Sequence, residues 1–187
     1  KLNIIPYLDK LSETAQRYGA VNTVLCRDQE GKSVGYNTDA DGFLHSVENL
    51  YCDLSKPVLI AGGGGAARMF AIECALHGAP VTIAVRRIKP ETEALQRDIL
   101  SLAPGSQVSI TTLDKLPEKE FELLINATPV GMYPHMGKSP VPADYLSQVK
   151  AVFDAVYNPT DTQLLLDARK MGCKTEGGMA MLVWQAA

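Results

Sequence analysis

Four consecutive glycines, Gly62 to Gly65, stand between the apolar run Val58-Leu-Ile-Ala61 and a helix-compatible run that opens Ala66-Ala-Arg68. Glycines carry no reactive group. They offer a tight turn and an unshielded backbone that can approach a pyrophosphate, and a helix starting directly after them adds free N–H groups and a partial positive charge. The spacing Gly62-x-Gly64-x-x-Ala67 fits the dinucleotide fingerprint with Ala at its third position, in the strand–turn–helix setting that the fingerprint requires. The competing reading is a glycine-rich turn with no ligand. NAD-binding units carry an Asp or Glu about 20 residues past the glycines, for the ribose hydroxyls. That region reads Ala84-Val-Arg-Arg-Ile-Lys89 and holds no acid. Arg86 and Arg87 suit a 2′-phosphate through bidentate, charge-assisted contacts, so NADP is expected rather than NAD. An ordinary solvated basic loop is the alternative.

The elements that must hold these residues alternate in type. Strands are expected at 58–61, 80–85, 108–110, 122–126 and 151–155, with helices over 65–77, 91–102 and 161–171. Strands alternating with helices predict an α/β fold with a parallel, doubly wound sheet. The apolar stretch 178–187 is helix-compatible. Before Lys56-Pro57 the pattern differs. Residues 3–17 read as an amphipathic helix, and 20–26 with 33–37 as a hairpin around the turn-like Asp28-Gln-Glu-Gly-Lys32. A further helix starts at Thr38 or Asp39, one of which caps it, and carries Phe43, Val47 and Leu50 on one face. The boundary between the two patterns falls at 52–57.

Composition narrows the classes. The 187 residues suffice for one large domain, or for one domain and part of another. A net charge of −3 without clustered Lys and Arg argues against a nucleic-acid partner. No apolar run approaches the roughly 18 residues of a membrane span. Cys26, Cys52, Cys74 and Cys173 have irregular spacing and read as reduced thiols of a cytoplasmic protein. His45, His77 and His135 show no ligand spacing, so no metal site is expected.

Several stretches converge in order and spacing: Gly19-Ala-Val-Asn-Thr23, Gly35-Tyr-Asn-Thr-Asp39, Gly42-Phe43, the glycine run through Arg68, Asn126-Ala-Thr-Pro-Val-Gly-Met132, Asp154-Ala-Val-Tyr-Asn-Pro159, Thr162 with Leu164-Leu165, and Met181-Leu-Val-Trp-Gln185. Together they resemble the shikimate dehydrogenase family, including its quinate/shikimate-type relatives, over nearly the whole chain. The resemblance implies a Rossmann NADP-binding domain at 53–187 and a partial α/β substrate domain at 1–52, with the helix 178–187 returning to the substrate domain. It implies reversible, NADP-linked reduction of 3-dehydroshikimate to shikimate, a step of aromatic amino-acid biosynthesis, in the cleft between the domains. A homodimer is a candidate assembly. The alternatives are a quinate/shikimate-type paralogue and a catalytically incompetent NADP-binding fragment.

The family's Lys/Asp pair falls on Lys1 and Asp39. Lys1 stands eight residues before Asp9 in Leu8-Asp-Lys-Leu11, as the family's lysine does. An ammonium beside a reacting carbonyl can donate a proton or stabilise the alkoxide, and a carboxylate holds and tunes it. Taken alone, Lys1 is a solvated terminal lysine and Asp39 a helix cap. By the same resemblance Asn22, Tyr157 and Gln185 contact substrate. The cofactor side comprises Gly62, Gly63, Gly64, Gly65, Ala66, Arg68, Arg86, Arg87, Asn126, Thr128 and Gly178. Three departures stand out. Val85-Arg86-Arg87 replaces Asn-Arg-Thr. Ala180 stands where a glycine is expected, which is costly if the backbone there is strained or close to the nicotinamide. The family's Ser-x-Ser-like carboxylate-binding segment, which lies before the Lys, is absent, so the chain is expected to be a piece of the enzyme.

Overall fold

The computed structural model describes residues 1–186. Two sheets organise it. Strands β1 (Lys10–Leu11), β2 (Thr23–Leu25) and β3 (Val34–Tyr36) form a small sheet in the order β1-β3-β2, with β2 and β3 antiparallel as the hairpin reading requires. Asp28 shapes its turn: Oδ1 accepts from the backbone N–H groups of Glu30 and Lys32.

The helix expected over 3–17 does not form as one element. A 3-10 turn at Ile5–Tyr7 is followed by β1, and only Glu13–Tyr18 is α-helix (α1). Pro6 sits in the 3-10 turn and cannot supply an interior helical N–H. Ser12 restarts the chain as a true cap, its Oγ accepting from Ala15 N at 3.1 Å. Between them, β1 pairs in parallel with β3. The Asp9 carboxylate accepts from Ser33 Oγ and Ser33 N, which holds its pKa below the usual range and ties β1 to the start of β3.

The large sheet is parallel throughout, with β4 (Val58–Ala61), β5 (Val81–Val85), β6 (Val108–Thr112), β7 (Phe121–Asn126), β8 (Val149–Asp154) and β9 (Lys174–Gly177) in the order β6-β5-β4-β7-β8-β9. Helices α3 (Gly65–Leu76), α4 (Pro90–Leu102) and α5 (Gln163–Lys170) connect successive strands. This is the doubly wound Rossmann order, and its topological switch lies between β4 and β7. Strand β9 was not anticipated: Lys174-Thr-Glu-Gly177 carries no apolar alternation, because it is an edge strand and half-buried.

Helices α2 (Asp39–Glu48) and α6 (Gly178–Trp184) join the two regions. Residue 187 of the helix expected over 178–187 lies outside the described residues. Phe43 of α2 is fully buried against Phe70 of α3 and Phe153 of β8, with ring centroids 4.6 and 5.5 Å away. One apolar cluster therefore runs from Tyr18 and Val47 into Val58, Ile60 and Ile125. Among the described residues no helix is long and apolar enough to cross a membrane.

Candidate active site

Asp39 opens α2 directly after β3, so its carboxylate sits where the small sheet meets the helix layer. Lys1 Nζ donates to Asp39 Oδ2. The lysine side chain is 52% exposed and the aspartate 14%, which makes the pair a solvated ammonium anchored on a largely buried carboxylate. Val21 N donates to the Lys1 carbonyl at 3.1 Å, so the lysine backbone is held as well. Asn22 Nδ2 donates to Asp39 Oδ1 at 2.8 Å, and Asn22 Oδ1 accepts from Thr38 N. Asp39 thus acts as the acceptor between an ammonium and an amide. The capping role considered for Thr38 or Asp39 is filled by neither side chain, since α2 has no side-chain cap. Thr38 Oγ1 instead donates to the Gln185 carbonyl at 2.6 Å, pinning the end of α6 to the start of α2. Gly42 permits that contact: a Cβ there would lie 2.7 Å from the Met181 carbonyl oxygen.

The glycine run divides into two roles. Gly62 has φ +120°, and a Cβ on it would meet the Ala127 carbonyl oxygen at 2.8 Å. It is glycine because the β4–α3 turn lies against the loop after β7. Gly64 and Gly65 have ordinary φ and nothing within 4 Å of an added Cβ. No protein neighbour requires them to be glycine; they front open space at the N-terminus of the twelve-residue α3, a cradle that a side chain would fill. A dinucleotide pyrophosphate fits that arrangement. Arg86 and Arg87 follow β5 on the exposed strand end. Gly63 touches that end, since its Cβ would lie 3.0 Å from Val85 Cγ1.

Strand register lines up Ala84, Ala61, Asn126, Asp154 and Gly177 across the carboxyl edge of the sheet. Asn126 is fully buried. Its Nδ2 donates to Asp154 Oδ1 and the Val130 carbonyl, and its Oδ1 accepts from Thr128 N and Thr128 Oγ1. Asn126 therefore shapes the loop after β7 from beneath, and Thr128 is bonded into the same turn. Arg68 is also engaged: Nε and Nη2 donate to Asp98, and Nη1 donates to the Arg17 carbonyl at 3.1 Å.

A cavity of about 650 Å³ opens between these groups. Lys1, Asp39, Tyr157, Gln185, Gly65, Ala66, Arg68 and Gly178 all line it. Asn22 reaches it only through Asp39. Gly62, Gly63 and Gly64, Arg86 and Arg87, and Asn126 and Thr128 lie outside its wall. Tyr18, Met69 and Phe70 also line it and were not anticipated; nothing local distinguishes them from core residues. At Gly178 the backbone does lie close to the protein: a Cβ there would lie 2.4 Å from the Ala155 carbonyl oxygen. Ala180 is in the interior of α6, without a positive φ, and carries no strain.

No family model matches the chain. Individual relatives do. The chain is 39% identical over 192 residues to the shikimate dehydrogenase (NADP(+)) of Methanocaldococcus jannaschii, covering 100% of this chain and 66% of that protein. It is 41% identical over 196 residues to that of Alkaliphilus oremlandii, covering 100% and 67%. The chain thus spans about two thirds of the length of its curated relatives, slightly less for the first. Among solved structures, Listeria monocytogenes shikimate 5-dehydrogenase in complex with shikimate and NAD superposes with a TM-score of 0.88 at 35% identity, over 100% of this chain and 67% of that one. Quinate dehydrogenase from Corynebacterium glutamicum in complex with NAD gives 0.87 at 32%, over 100% and 66%. With identity at this level along its whole length and the doubly wound fold in common, the chain belongs to the shikimate dehydrogenase family.

Proposed function

We propose that the natural protein containing this chain is an NADP-linked oxidoreductase that interconverts 3-dehydroshikimate and shikimate. One observation carries the reading: the Lys1–Asp39 pair, braced by Asn22, faces Gly65 and Ala66 across a single cavity. The relatives named shikimate dehydrogenase (NADP(+)) support it.

NADPH, when bound, supplies the hydride. Gly62 to Gly65, Ala66 and the α3 N-terminus hold its pyrophosphate. Arg86 and Arg87 would take the 2′-phosphate, Arg68 and Gly178 line the cavity beside the cradle, and Asn126 holds the Thr128 turn from beneath. Lys1 Nζ donates a proton to the alkoxide oxygen that develops on the substrate, or stabilises its charge. Asp39 keeps that ammonium oriented, and Asn22 keeps Asp39 in register. Tyr157 and Gln185, which line the same cavity, contact the polyol acid, so that the carbonyl is presented in one orientation.

We further infer a substrate domain at 1–52 and an NADP-binding domain at 53–187, with α6 packing back on α2. The four free cysteines fit a reducing cytoplasm, and a homodimer is the assembly to test by light scattering.

A second reading, a quinate/shikimate-type enzyme, is favoured by the likeness to a quinate dehydrogenase. Kinetics of the natural protein with shikimate and quinate, each with NADP and NAD, separate the two. Turnover of neither acid sinks both. The isolated 187-residue chain, assayed in parallel, is expected to have little or no activity while still binding NADP.

A further inference from the structure

Asp154 ends β8 one residue row from the cavity, yet it is fully buried and lines no part of it. Its carboxylate accepts three hydrogen bonds: Asn126 Nδ2 to Oδ1 at 2.9 Å, Val156 N to Oδ1 at 3.0 Å, and Thr162 Oγ1 to Oδ2 at 2.6 Å. Burial pushes its pKa up, while the three donors oppose that shift. The donors come from three separate pieces of chain. Asn126 ends β7 and holds the Thr128 turn; Thr162 caps α5, accepting from Leu165 N; Val156 lies in the loop that carries Tyr157. That loop is fastened again on its far side, where Gly178 N donates to the Val156 carbonyl at 3.2 Å and the Ala155 carbonyl packs against Gly178 Cα. The two carboxylate oxygens together accept from an amide, a hydroxyl and a backbone N–H in a dry site.

We propose that Asp154 is the positioning residue for Tyr157: it sets the 155–157 loop, and through it the position of the phenol in the cavity that Lys1 and Asp39 also line. This rests on the dehydrogenase reading for its activity readout. Asp154 touches no substrate; it acts through Val156 and the loop. Removing the carboxylate leaves buried donors without an acceptor, and the loop is then free to take other conformations.

The test is a double-mutant cycle in the natural protein. Asp154→Ala is expected to lower kcat/KM for shikimate by about tenfold or more, chiefly through KM. Tyr157→Phe lowers it on its own. If Asp154 works through Tyr157, the Asp154→Ala loss shrinks to about twofold or less in the Tyr157→Phe background. Asp154→Asn, which keeps Oδ1 as acceptor for Asn126 and Val156, is expected to restore most of the KM. Losses that multiply independently in the double variant, or an unchanged KM in Asp154→Ala, overturn the proposal. Should Asp154→Ala fail to fold, Thr162→Val removes the bond to Asp154 together with the α5 cap, leaves the carboxylate in place, and carries the same cycle. Hydrogen–deuterium exchange of residues 154–158 gives a readout that needs no turnover: protection of the Val156 amide is expected to fall in Asp154→Ala and to persist in Asp154→Asn. Loss of protection in a protein that turns over neither acid would defeat the dehydrogenase reading and leave the loop assignment standing; unchanged protection defeats the assignment itself.

Discussion

At the scale of single residues, the proposed chemistry rests on Lys1 and Asp39. Asp39→Asn keeps an acceptor for Asn22 Nδ2 and removes only the charge opposite the ammonium. In the natural protein this change, and Lys1→Met, are each expected to lower kcat by roughly 10²–10⁴-fold, the usual worth of a positioned proton donor, with thermal melts close to the parent. A loss of kcat accompanied by an equal collapse of the melt would mean that the pair is structural. The cysteines give an independent check of burial. Cys26 is exposed and Cys74 is buried, while Cys173 donates to the Leu146 and Val149 carbonyls. Burial pushes the Cys52 thiol up to about 11, so at pH 8 only about one part in a thousand is thiolate. Iodoacetamide followed by mass spectrometry should label Cys26 well before the other three. Cys52 should begin to react only as pH is raised, since the thiolate is the nucleophile. Equal rates at Cys26 and Cys52 at pH 8 would contradict this picture.

Glycines separate fold from function at the scale of elements. Gly62→Ala meets both a positive φ and the Ala127 carbonyl, and is expected to cost about 1–3 kcal/mol of stability. Gly64→Ala meets nothing. It should fold normally and weaken NADPH binding by about tenfold or more, since 1.4 kcal/mol of lost contact is enough for that; fluorescence titration beside urea melts measures both. At α6, Gly178→Ala forces a Cβ into the Ala155 backbone and should displace the helix. Ala180→Gly should cost about 1 kcal/mol of helix stability with no gain in turnover. Much of this layer was legible beforehand. The strand–glycine–helix unit, the apolar strands and the hairpin are local patterns, and they form close to where the residues predict. The helix expected over 3–17 failed because a periodic apolar pattern outvoted Pro6 and Ser12, which divide it. Strand β9 stayed hidden because an edge strand needs no apolar run: its ladder with β8 supplies the order.

Cohesion between the two sheets is decided at the scale of the whole molecule. Tyr18 OH donates to Glu73 Oε1, and Arg17 lies 3.6 Å from the same oxygen. Both Tyr18 and Glu73 are buried, at the contact of α1 with α3, and burial raises the Tyr18 pKa, which keeps the phenol a donor. Arg68 adds its bond to the Arg17 carbonyl. Glu73→Ala leaves the phenol without an acceptor and is expected to cost about 1–3 kcal/mol. Tyr18→Phe should cost a similar amount, and the double variant clearly less than the sum, read from urea midpoints at constant slope. Strict additivity would mean that the two residues do not clamp the regions together.

The chain's own order of residues determined the parallel doubly wound sheet, the glycine cradle and its basic neighbours, and a family resemblance strong enough to name Lys1 and Asp39 as a pair. Those features are local, or lie in short motifs whose physical demands can be read one at a time. Only the tertiary structure decided which distant residues meet. Thr38 finds the Gln185 carbonyl across 147 positions, Tyr18 finds Glu73 across 55, and Asp154 gathers donors from three segments. Such contacts follow from how helices and strand ends pack, and no local propensity encodes them. The same packing decided that Gly178 needs to be glycine. The four glycines likewise divide by packing, with Gly62 answering to the fold while Gly64 and Gly65 front open space.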